Sequence, residues 1–183
     1  MLSSITGLFR EPDDFEAAMR EDGCLNLVVT RGGSFRARLT QMALHRMRLQ
    51  SGEETAARVA FFSIPTDMTM VAVAIAGALP PIWGGTLMES GEIITVGAGH
   101  ATHSRSAACS RGGTLLLPTR VLNNHARALS GAPLQIPADV SSWHPSAAAY
   151  RNLVGLHRRA TAVANVRAGV LMTPEAARSW NRN

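Results

Sequence analysis

Lysine is absent from this sequence, and all 18 of its Lys and Arg residues are arginine. The formal net charge of +5 raises the possibility of a nucleic-acid surface. Such a surface gathers its charge on one face or element. Here the arginines are scattered, with no run longer than Arg158-Arg159, which argues against specific DNA binding by this chain alone. Cysteine is nearly missing as well. Cys24 and Cys109 lie far apart and form no paired motif, so they read as two buried thiols in a reducing compartment. A disulfide between them depends on whether the fold brings them together. No apolar run is long enough to cross a bilayer: the longest, from Met68 to Leu79, stops at Pro80-Pro81. The first residues carry no basic stretch before their short apolar one and turn acidic by Asp13-Asp14, unlike a signal peptide. A cytoplasmic protein without membrane attachment is therefore expected. There is no phosphate loop, no dinucleotide fingerprint and no nucleophile elbow. No cofactor and no enzymatic activity are expected on that ground. Internal repeats and low-complexity tracts are also absent.

A hydrophobic content of 46% is enough for a sizeable core. The pattern opens with a short helix over residues 12–20, where Pro12, Asp13 and Asp14 suit a first turn and Gly23 follows its end. Period-two segments come next: Cys24 to Thr30, Phe35 to Leu39 and Met47 to Gln50. Arg31–Ser34 and Ser51–Glu54 read as the turns between them. Further strands are expected over 58–64, 68–76, 92–96, 101–106 and 114–117. A tight hairpin is expected at Trp83–Leu87, with Gly84-Gly85 supplying positive φ. Short strands at regular spacing indicate a sandwich or barrel.

After Pro118 the period becomes helical. Thr119 can cap a helix over Val121, Leu122, His125 and Leu129, and Gly131 ends it. A connector over 133–137 leads to a longer helix from about Pro145. Its apolar face carries Tyr150, Leu153, Val154, His157 and Ala160. That face is too apolar to leave wet, so it is expected either in a homodimer interface or packed on the sandwich. A third helix is expected to open at Thr173-Pro174-Glu175. The organisation is thus an α+β chain: a mainly antiparallel sandwich or barrel over residues 1–140, then a helical segment over 141–183.

Candidate chemistry is sparse. His100 and His103 could ligate a metal, with Glu89 and Glu92 near in sequence. A strand sends side chains three positions apart to opposite faces, which argues against a shared ion. Cys109 has His103 and Arg105 nearby but no nucleophile motif around it. His125 and His157, on apolar helix faces, read as interface or core histidines.

Several segments resemble the sensor half of AraC-family transcriptional regulators, in order and at similar spacing from about Asp14 to Ser179. They are Gly33 to Glu54, Trp83 to Gly99, Thr102 to Ser106, Leu117 to Gly131 and Leu171 to Ser179. The resemblance implies a cupin-like barrel or jelly roll that binds a small-molecule effector, with a helical region behind it that forms a homodimer. It also implies a separate carboxy-terminal unit of two helix-turn-helix motifs. The sequence departs from the family at Arg111, where an aromatic residue is expected before the glycine. It also ends at Asn183, before any DNA-reading unit, as a truncated regulator would. The alternatives are a small cupin-type metalloenzyme and a β-sandwich interaction protein.

Overall fold

The computed structural model describes residues 2–75 and 79–167. In chain order these form β1 (Leu2–Phe9), α1 (Pro12–Met19), β2 (Cys24–Val29), β3 (Ala37–Leu44), β4 (Met47–Glu54), β5 (Arg58–Ser63) and β6 (Met68–Ala74). Then follow β7 (Ile82–Trp83), β8 (Thr86–Leu87), β9 (Ile93–Val96), β10 (Ala101–Ser106), β11 (Ser110–Pro118), α2 (Thr119–Ser130), β12 (Val140–Trp143) and α3 (Ala147–Arg167). One sheet has seven strands in the order β1-β3-β4-β11-β6-β9-β12, and the other five in the order β2-β5-β10-β7-β8. The pairs are antiparallel in both sheets. The fold is the expected α+β class, a sandwich of two open sheets rather than a closed barrel.

Alternation along each strand decides what faces the interior. Leu39, Ala60, Phe62, Met70, Ala72, Ile94 and Val96 form one buried core. Phe15 of α1 closes its end against Phe9 and Phe35, with ring centroids 5.5 and 5.7 Å away. The short hairpin follows the sequence expectation. Trp83 pairs with Thr86, and Gly84 and Gly85 have φ of 54° and 87°, the backbone a two-residue turn requires.

Several boundaries differ from the sequence reading. β1 reads as no element in the sequence, yet it pairs along its whole length with β3. Ser51–Glu54 is not a turn but the second half of β4, paired with Ala37–Thr40 and Ser110–Gly113. Val140–Trp143 forms the last strand of the seven-stranded sheet, so the sandwich runs past residue 140. Thr119 does not cap α2. Its hydroxyl bonds Thr69 Oγ1 at 2.9 Å, and Pro118 holds the capping position. Gly131 does end that helix, with φ 78° and its N–H bonded to the Arg127 carbonyl. The helix expected at Thr173 lies outside the described residues.

α3 lies on the outer face of the seven-stranded sheet, over β1, β3 and β4. Met42, Leu49 and Ala164 are buried together there, with Leu115 and Ala160 against them. Polar bonds fix the helix along its length. Ser146 caps it through Oγ to the Ala149 N–H at 3.2 Å, and Tyr150 donates to the Ala74 carbonyl at 2.9 Å. His157 Nε2 meets the Gln50 carbonyl at 2.9 Å. Asn165 Oδ1 accepts from Thr6 and Thr40 at 2.8 and 3.0 Å. No helix among the described residues is long and apolar enough to cross a membrane.

Candidate functional site: a polar cavity between the sheets

β4, β5, β10 and β11 line a partly open cavity of about 80 Å³ between the sheets. The apolar part of its lining includes Phe15, Leu39, Phe62 and Trp83. The polar part, drawn from both sheets, is Gln50, Glu54, Arg58, Ser104, Ser106 and Thr114. The even-numbered residues of β4, β10 and β11 point inward because the odd-numbered ones, such as Leu49, His103 and Leu115, point outward.

Charge inside the cavity is paired. Arg58 and Glu54 meet in a two-pronged bond: Nε donates to Oε2, and Nη2 donates to Oε1 at 2.7 Å. Arg58 Nη1 also donates to Ser104 Oγ at 3.2 Å. Both side chains are largely buried, so each neutralises a charge that the interior would otherwise reject. Thr114 Oγ1 donates to Gln50 Oε1 at 3.2 Å. Two cavity groups are left over: Gln50 Nε2 and Ser106 Oγ are buried with no hydrogen-bond partner. Arg111, at the position where the family resemblance implies an aromatic, lines the same cavity. Its Nε lies 3.7 Å from Glu53 Oε1 at the surface.

The residues singled out in the sequence fall elsewhere. His103 is exposed on the outer face of β10, its ring 6.2 Å from Phe61. His100 sits in the turn before that strand, where its carbonyl accepts from the Ile64 N–H. Neither belongs to a group of three potential metal-ligating side chains among the described residues. Glu89 and Glu92 instead gather with His144. His144 Nε2 is 2.6 Å from Glu92 Oε1, and the Glu89 N–H donates to Glu92 Oε2 at 2.7 Å. That backbone bond, above all, holds the Glu92 carboxyl below its ordinary range.

Cys24 and Cys109 are both free thiols, but only Cys24 is buried as expected; Cys109 is exposed, in the turn before β11. Burial pushes the Cys24 thiol up to about 11. His125 is exposed on α2 rather than set in an apolar face. Of the apolar face expected on α3, His157 is buried, and Tyr150, Leu153, Val154 and Ala160 are half-buried. His157 and Ala160 face the chain's own sheet. Burial pushes its imidazole below the ordinary value.

Sequence reasoning did not single out Gln50, Glu54, Arg58 or Ser106. The buried Glu54 sat in what read as a polar turn, and serine at alternate positions of a strand carries no motif.

No family model and no curated protein matches the chain. Among solved structures, the crystal structure of the AraC-like transcriptional activator CuxR matches it with a TM-score of 0.55 over 97% of this chain, at 18% sequence identity. The chain spans 66% of the length of that protein. The match shows a fold shared with that activator, built here from two open sheets rather than the closed cupin-like barrel that the sequence resemblance implied.

Proposed function

We propose that this chain is the effector-sensing and dimer-forming part of an AraC-type transcriptional regulator, working in the cytoplasm and not as an enzyme. The observation that carries this reading is the fold shared with an AraC-like activator over 97% of the chain, with a cavity inside it that holds unspent hydrogen-bonding groups. A cavity with a few placed polar groups and apolar walls is the usual form of a small-molecule site.

Reading of DNA belongs to another unit. Among the described residues no two α-helices follow each other across a short turn, since β12 separates α2 from α3. A helix-turn-helix needs that adjacency. Homodimer contacts fall to the exposed apolar positions of the two helices. Leu129 of α2 is 89% exposed, and Leu156 and Val163 of α3 are also exposed.

A screen of small polar molecules by thermal melting tests the sensing role, with an upward shift in melting temperature expected for the effector. Sedimentation tests the assembly: a dimer that Leu129→Asp or Leu156→Asp converts to a folded monomer. Selective binding to a promoter fragment at physiological salt would overturn the assignment of DNA reading to another unit.

A further inference from the structure

A buried hydrogen-bonding group without a partner is costly, and folded proteins keep few of them. Two occur in one cavity here. Gln50 is 8% exposed and Ser106 is 6% exposed, and neither Gln50 Nε2 nor Ser106 Oγ has a partner. They come from different sheets, Gln50 from β4 and Ser106 from β10, so one molecule between the sheets can meet both.

We propose that the cavity binds a small uncharged molecule carrying both a hydrogen-bond acceptor and a donor, of the amide or urea kind, held between Gln50 Nε2 and Ser106 Oγ. The inference rests on the sensing reading above and narrows it to a ligand class.

Three features of the cavity set that class. The first is size. A volume of about 80 Å³ is roughly half the ~150 Å³ void known to take a benzene ring. A volume this small favours a ligand of a few heavy atoms. The second is charge. The buried Glu54 and Arg58 neutralise each other in a two-pronged bond, and Arg111 faces Glu53 at the surface. An anionic ligand would have to draw Arg58 away from Glu54 and strand a buried carboxylate, and a cation would strand the guanidinium in the same way. The third is polarity. The Gln50 amide N–H requires an acceptor on the ligand. The Glu54 carboxylate and the Ser106 hydroxyl can each receive a donor from it. An amide offers both on neighbouring atoms.

Acetamide and acetate share a shape and differ in charge, and xenon probes the apolar alternative. Each is titrated into the full chain while the backbone amide signals of Gln50, Ser106 and Thr114 are followed by NMR. Acetamide is expected to give saturable shifts, acetate none. Ser106→Ala and Gln50→Leu should each weaken acetamide binding by about fivefold or more, the weight of one lost hydrogen bond. Ser106→Ala removes a hydroxyl that bonds nothing, so its melting temperature should equal or exceed that of the parent. A clear drop would show the hydroxyl already satisfied and overturn the proposal. If acetate or xenon occupies the cavity and acetamide does not, or if both variants bind acetamide as the parent does, the ligand class falls while sensing stands. If none of the three perturbs these signals, the cavity is not a binding site, and the sensing reading falls with it.

Discussion

Individual side chains here differ sharply in how much their surroundings constrain them. Cys24, buried and with its thiol pushed up to about 11, is held in the unreactive protonated form. Cys109 is exposed, in a turn with φ 58°. A thiol reagent at pH 8 should therefore modify one cysteine per native chain, and Cys109→Ser should abolish that reaction. Two fast thiols would show that Cys24 is not sealed in the core. The Glu54–Arg58 pair has a larger effect on stability. Arg58→Met leaves a buried carboxylate without its partner and should destabilise the chain by about 3–5 kcal/mol. Adding Glu54→Gln should recover most of that loss, because the penalty lies in the stranded charge rather than in the lost bond. Urea denaturation of the two variants measures both. This pair was not legible in the sequence. Glu54 and Arg58 look like surface charges until β4 is seen to run on through Glu54 into the sandwich.

Elements with one apolar face and a clear period were readable, and those without were not. β10 appears where alternation placed it, since Thr102, Ser104 and Ser106 are buried and the residues between them exposed. β12 escaped because Val-Ser-Ser-Trp is short and polar. It is held by pairing with β9 and by the Trp143 indole donating to Thr95 Oγ1 at 2.7 Å. β1 escaped because Ser3, Ser4 and Thr6 break the alternation, and Thr6 is polar because it faces Asn165 of α3. The face of α3 was readable; the surface it covers was not. Gly113 explains the choice of surface, because a Cβ there would lie 2.4 Å from His157 Nε2. The glycine is a gap in the sheet that the imidazole fills. Gly113→Ala should cost roughly 1–3 kcal/mol by overpacking, and His157→Ala in the same chain should relieve part of it. The imidazole also makes the seat of the helix sensitive to acid. Its folded value lies below the ordinary 6.5, so the unfolded chain takes up the proton first. Stability is then complete above about pH 6.5 and declines as pH falls below it. In the His157→Gln variant that decline should vanish from pH-dependent melting curves. Its persistence would place the titrating group elsewhere.

At the scale of the whole molecule, the chain is built from distant pairings. β4 meets β11 through Gln50 and Thr114, and β1 pairs with β3 rather than with β2. Such topologies fold slowly, in roughly milliseconds to seconds, because loops must close before strand pairs can reward the closure. The contacts of α3 are the most distant. Asn165→Ala leaves Thr6 and Thr40 with only each other, and it should cost about 1–2 kcal/mol. If α3 docks after the sheets have formed, the loss should appear as faster unfolding with little change in the refolding rate. A slowed refolding limb in stopped-flow measurements would mean the helix joins early. The bond between Thr6 and Asn165 spans 159 residues, so it also imposes an order in time. β1, the first of the described strands, receives its covering from near the end of α3, the last of the described helices. During synthesis that strand must wait, polar face uncovered, until α3 has been made.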